Sequence, residues 1–146
     1  MAEISANLDL KGWNGAQLAL RVPQIIRAYG DVMDQQLKEE IKTVQFSWPN
    51  ETRRRNGSIV GSPRDIVDTG NFLRSQRRDY PEATTLRFTW NAKSKGFMYA
   101  GIILTGYTTK SGRAMPPRNW IKPALDKHPL NEFFIREWRR LAGSGV

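Results

Sequence analysis

Ile25, Ile26, Tyr29, Val32, Met33, Leu37, Ile41 and Val44 recur at intervals of three and four residues. That spacing gathers them into one stripe along a helix, so the stripe has to be buried against another layer. Asp31, Asp34, Lys38, Glu39 and Lys42 occupy the opposite side and keep it in water. The pattern predicts a long amphipathic helix over 23–46. Pro23 is placed at its start or at a kink, and Ala16–Arg21 adds a turn or two before it. The outer face is too acidic to favour an anionic membrane surface.

The remaining segments suggest what this helix packs against. Residues 4–10 alternate apolar Ile4, Ala6, Leu8 and Leu10 with Ser5, Asn7 and Asp9, the period of a half-buried strand. Trp48-Pro49 ends the helix, and 49–65 lacks periodicity and reads as a long loop. Asp68 is expected to cap a short helix running to about Ser75, its carboxylate accepting a backbone N–H. Arg77–Tyr80 and Leu86–Trp90 are predicted strands joined by a turn at Pro81-Glu82-Ala83, with Leu86, Phe88 and Trp90 on one face. Tyr99–Leu104 is a buried apolar run that periodicity assigns to neither helix nor strand. Residues 105–118 read as a second long loop. Trp120, Ile121, Ala124 and Leu125 suggest a short helix interrupted by Pro123. Pro129 opens a last helix with the stripe Leu130, Phe133, Phe134, Trp138 and Leu141, and 143–146 is a frayed tail. The expected fold is a single α+β domain over 1–146: an antiparallel sheet packed against a long N-terminal helix and a C-terminal helix, with two long loops.

Composition narrows the chemistry. The chain has 146 residues, a length typical of one domain. It contains no Cys and one His, which removes thiolate chemistry and leaves little for zinc or a His-based triad. No run of about 18 apolar residues is present, so a transmembrane helix is not expected. The N-terminal residues lack a basic stretch followed by an apolar core, so a secretory signal is not expected either. The net charge is +9, and residues 83–125 hold seven basic groups and no acidic one. Such a stretch attracts polyanions or an acidic protein surface.

Individual motifs have competing readings. Asp68-Thr69-Gly70 is the tripeptide of aspartic proteases, and a homodimer would supply the second carboxylate. The amphipathic turn that follows favours a helix cap instead. Arg53-Arg54-Arg55 is a loop run that either contacts phosphate or is simply solvated. His128, beside Pro129, reads as a surface or capping residue. Trp48, Tyr107 and Trp120 flank the loops, where rigid aromatics serve either as interface anchors or as core.

The order of motifs adds one more constraint. The N-terminal helix and a Pro-containing loop lead to Asp68-Thr69-Gly70-Asn71-Phe72-Leu73-Arg74-Ser75. Tyr99-Ala100 follows, then a Gly-bearing loop, then Met115-Pro116-Pro117-Arg118-Asn119-Trp120-Ile121-Lys122-Pro123-Ala124-Leu125. Over roughly 20–140 this resembles the neck and tail-completion proteins of long-tailed bacteriophages. The resemblance implies a structural virion protein, assembled in the host cytoplasm. Such proteins form a homo-oligomeric ring of six or twelve copies against adjacent neck or tail-tube rings. DNA passes through the lumen and makes only transient non-specific contacts. The resemblance implies no catalysis, no cofactor and no membrane. Arg53, Arg54, Arg55, Tyr107, Lys110, Arg113, Arg118 and Trp120 are the candidates for interface or lumen contacts. The rival readings are a small basic nucleic-acid-binding protein using 83–125 and, further off, a dimeric aspartic protease.

Overall fold

The computed structural model describes residues 2–7, 15–43, 51–61 and 70–144. Strand β1 (Ala2–Asn7) precedes helix α1 (Gly15–Thr43). Two short strands, β2 (Thr52–Arg53) and β3 (Ile59–Val60), pair with each other. Helix α2 (Asn71–Arg74) leads into β4 (Gln76–Glu82) and β5 (Thr85–Trp90). A second small hairpin, β6 (Lys93–Ser94) and β7 (Phe97–Met98), is followed by helix α3 (Ala100–Thr105). A third, β8 (Tyr107–Thr108) and β9 (Ala114–Met115), precedes helices α4 (Ile121–Lys127) and α5 (Leu130–Ser144). The fold is α+β, as the sequence predicts.

The main sheet is antiparallel with strand order β1-β5-β4. Ala2, Ile4 and Ala6 stand opposite Trp90, Phe88 and Leu86, so one face is continuously apolar. The α1 stripe closes over it: Val22, Ile25, Ile26, Tyr29, Met33, Leu37 and Ile41 are all buried. Phe133 and Phe134 of α5 complete this layer, with the Phe133 ring 5.1 Å from that of Tyr29. On the other face Arg87 pairs with Asp79, and Glu3 and Ser5 are exposed.

Several boundaries differ from expectation. Helix α1 runs unbroken through Pro23. Proline removes one intrahelical bond and crowds the carbonyl four residues back. Here Val22, Ile25 and Ile26, buried on either side of it, hold the turn in place. Pro81 lies inside β4, where the pairing register shifts between Asp79 and Glu82, and the turn falls one step later at 83–84. An edge strand tolerates proline because the missing N–H faces no partner. Pro123 does not interrupt α4. It sits in the first turn, where N–H groups lack intrahelical acceptors anyway. That end is capped by Asn119, whose Oδ1 accepts from the backbone N–H of Ile121 and Lys122 at 3.0 Å each. Gly143 and Ser144, expected in a frayed tail, belong to α5.

One polar contact pins α1 to the sheet. Gln76 Nε2 donates to the Asp34 carbonyl and carboxylate at 3.0 and 2.9 Å, while Lys38 Nζ donates to the same carboxylate at 2.7 Å. Burial pushes the Asp34 carboxyl up. The hydrogen bonds from Lys38 and Gln76 outweigh that and hold it below the ordinary carboxylate range. A depressed folded-state pKa contributes stability that is complete above the unfolded value, about 4. It is lost as pH falls through the folded value. The urea midpoint should therefore drop between pH 7 and pH 3, and Asp34→Asn should shrink that drop. An Asp34→Asn chain with undiminished pH dependence would assign the acid sensitivity elsewhere.

Candidate functional site

Three small hairpins stand apart from the main sheet. Two are built alike. In the first, the Arg54 N–H donates to the Ser58 carbonyl at 2.9 Å and the Gly57 N–H to the Arg54 carbonyl at 3.0 Å. In the third, the Thr109 N–H donates to the Arg113 carbonyl and the Gly112 N–H to the Thr109 carbonyl, both at 2.9 Å. Each is a tight turn followed by a left-handed glycine, with φ of 87° at Gly57 and 82° at Gly112. Side chains lock both tips. Asn56 Oδ1 accepts from Ser58 N–H, and Thr109 Oγ1 accepts from Arg113 N–H. The middle hairpin turns on Lys95-Gly96 alone, with Lys95 itself left-handed at φ 50°. A basic side chain, Arg55, Lys95 or Lys110, therefore sits at every tip.

The topology roots the second and third hairpins at one end. Strand β5 leaves the sheet at Trp90, level with Ala2 and Gln76. Lys93 follows directly, and its carbonyl accepts from Asn71 Nδ2 at the start of α2, just before β4 begins. The third hairpin grows from the far end of the short helix α3, and its exit is tied back by Arg118 N–H to the Ile103 carbonyl at 2.8 Å. Helix α1 points its C-terminus the same way. Gly30 lies beside Tyr80 and Leu86, and Asp34 beside Gln76. The described residues flanking the first hairpin's connections, Thr43 and Gly70, are thus both at this end. The hairpin segments 51–61, 93–98 and 107–118 hold eight basic residues and one carboxylate, Glu51. Most of the net charge of +9 is concentrated there.

Apolar side chains share the hairpins. Ile59 is 62% exposed and Phe97 59%, and Met98 and Tyr107 are exposed as well. Two-stranded hairpins this small are marginal alone.

Against this surface the predicted site residues divide. Arg53, Arg55, Tyr107, Lys110 and Arg113 are exposed on the hairpins, and Arg54 is half-buried there. Trp120 is not an interface residue. It is fully buried, its ring 4.8 Å from that of Phe72 and 5.2 Å from that of Trp90. Arg118 is only half-exposed, its Nε buried and its backbone anchoring the third hairpin, so it is a foot of this surface rather than a tip. Asp68 lies outside the described residues. The residue that flanks α2 is Gly70, with no side-chain cap. Trp48 also lies outside them. The loops expected at 49–65 and 105–118 each carry a hairpin, and the base of the latter is closely packed at Gly106, where a Cβ would meet the Met115 carbonyl oxygen.

In the sequence Lys93 and Lys95 counted only as part of the basic stretch 83–125, and Phe97 carried no expected role. The signal was Lys95-Gly96 between two-residue strands, weak because Asn or Asp, not Lys, is the residue favoured before glycine in such a turn.

A polar network links α1 to α4. Glu40 is buried and pairs with Lys127, and Gln36 Nε2 donates to it at 2.6 Å. Gln36 Oε1 lies 3.2 Å from His128 Nε2, and the Tyr29 hydroxyl donates to the His128 carbonyl at 2.8 Å. Burial pushes the Tyr29 phenol up. This network ties α4 to α1, and His128 stands at the C-cap of α4, half-exposed, in line with its expected capping role. Among the described residues no three His, Cys, Asp or Glu side chains cluster to hold a metal ion, and no helix is long and apolar enough to cross a membrane. No protein-family model, curated protein or solved structure matches the chain.

Proposed function

We propose that this chain is a structural subunit of a homo-oligomeric ring in the neck of a long-tailed phage virion, with DNA passing through the lumen. The observation that carries this reading is a pair of basic, apolar-flanked hairpins, β6–β7 and β8–β9, rooted at one end of the α+β body. In a cyclic ring every copy points the same way. A one-ended subunit therefore makes a ring with one basic rim, suited to an adjacent neck or tail-tube ring or to passing phosphates. The motif order described above supports the same reading. The bases serve contact and passage: Arg53, Arg55, Lys110 and Arg113 attract charge without reading sequence.

The second reading, a small basic nucleic-acid-binding protein, draws on the same exposed tips. Light scattering combined with duplex titration separates the two. A ring subunit should assemble and bind random duplex weakly, at about 10⁻⁶ M or weaker at physiological salt and without sequence preference. A monomer with nanomolar affinity for one sequence would overturn the ring reading.

A further inference from the structure

At the tip of the first hairpin Asn56 folds back on its own backbone. Its Oδ1 accepts from the Ser58 N–H at 2.9 Å and from the Ser58 hydroxyl at 2.7 Å. That is an Asx turn, which curls the side-chain amide over the peptide nitrogen of the next residue. The next residue is Gly57. It has no side chain to shield that nitrogen, and no described atom lies within 4 Å of where a Cβ would stand. Asn56, Gly57 and Ser58 are all exposed, so water reaches the tip.

These contacts favour attack of the Gly57 nitrogen on the Asn56 Cγ. The two donors polarise the amide carbonyl, and they stand where negative charge develops on Oδ1 as a tetrahedral intermediate forms. Arg53, Arg54 and Arg55 directly precede the pair, and their positive field lowers the cost of removing the Gly57 N–H proton. One bond opposes the step: the Gly57 N–H donates to the Arg54 carbonyl at 3.0 Å. It is closed by strands of two residues each, and a hairpin that short opens locally without unfolding the body.

We propose that Asn56-Gly57 is a self-modification site, at which the folded hairpin promotes conversion of the asparagine to aspartate or isoaspartate. The Gly57 nitrogen loses its proton to water and bonds to the Asn56 Cγ. The Cγ–Nδ2 bond breaks, and Nδ2 takes up a proton and leaves as ammonia, which closes a cyclic imide. Water then opens the imide. Attack at Cγ gives aspartate, and attack at the Asn56 backbone carbonyl gives isoaspartate, with the chain running through Cγ. Nothing is oxidised or reduced. Either product puts a carboxylate directly after the three arginines, so a converted copy presents a less positive tip. The inference stands on the hairpin alone and does not need the ring reading.

The test is peptide mass mapping of the purified chain, incubated at neutral pH either folded or in urea, with isoaspartate detected by isoaspartyl methyltransferase. The peptide bearing Asn56 should show the exchange of amide for acid, at a rate in the folded chain no lower than in urea. The other Asn-Gly pair, Asn14-Gly15, falls in a separate tryptic peptide. Ser58→Ala removes the hydroxyl donor. It should slow the folded chain roughly two- to tenfold, the weight of a single hydrogen bond, and leave the rate in urea unchanged. Asn56→Gln should remove the shift from that peptide. A rate that falls on folding would show that the Gly57–Arg54 bond guards the site, and would overturn the proposal. So would a folded rate indifferent to Ser58→Ala.

Discussion

Gly106→Ala should destabilise the fold by about 3 kcal/mol or release the third hairpin from its seat. Gly106 follows α3 with φ 72° and ψ 172°, a region open essentially to glycine alone. A Cβ there would stand 2.7 Å from the Met115 carbonyl oxygen and 2.8 Å from the Pro117 nitrogen. Both obstacles are backbone, so no rotamer change relieves them. Strain of about 1–3 kcal/mol adds to an overpacking cost of similar size. The neighbouring bonds, Gly106 N–H to the Ile102 carbonyl and Arg118 N–H to the Ile103 carbonyl, hold the hairpin feet against α3, so the strain cannot dissipate without breaking one of them. Denaturant titration should show the loss, and hydrogen exchange should speed up at 107–115 more than in the main sheet. An unchanged midpoint with unchanged exchange would mean that the hairpin base yields freely, and the rigid mounting argued for Lys110 and Arg113 would go with it.

What the sequence made legible follows from length and period. The α1 stripe spans several turns, so its spacing of three and four could not be mistaken, and the burial of Ile26, Leu37 and Ile41 follows from it. The alternation of Leu86, Phe88 and Trp90 did the same for β5. The hairpins were illegible for the converse reason. A strand of two residues has no measurable period, so 49–65 and 105–118 read as loops although Asn56-Gly57 and Ser111-Gly112 marked their turns. Asn119, capping α4, stood between the loop read at 105–118 and the helix read from Trp120, with no role assigned to it. Trp120 misled through its neighbours. Placed after Pro116-Pro117-Arg118 at a loop exit, it resembled an exposed anchor, and only the tertiary approach of Phe72 and Trp90 makes it core. The basic surface was half legible: charge density identified 83–125, but only the structure shows that Lys95, Lys110 and Arg113 are carried on hairpins rather than on open loops.

The reassignment of Trp120 can be tested by contrasting two substitutions. Trp120→Ala should cost about 3–5 kcal/mol, the range for emptying a large aromatic site in a core. It removes edge-on contacts with Phe72 and Trp90, and Phe72 also lies 6.4 Å from Tyr99, so the cavity opens where α2, β5 and α3 converge. Trp120→Phe keeps an aromatic ring in that cluster. It also deletes the indole Nε1–H, which is buried without a hydrogen-bond partner among the described residues. An unsatisfied buried donor costs about 1–3 kcal/mol, so its removal offsets part of the volume lost, and Trp120→Phe should fall well short of the alanine penalty. Urea unfolding of both variants beside the parent chain provides the measurement. Were Trp120 an interface anchor, alanine would leave unfolding untouched and weaken only assembly. The hairpin feet give the core loss a further reach. Trp120 is two residues from Arg118, whose N–H clamps the third hairpin to Ile103. Loosening the cluster should therefore raise hydrogen exchange at 107–118 as well, so that one core residue governs how firmly the basic tips are presented.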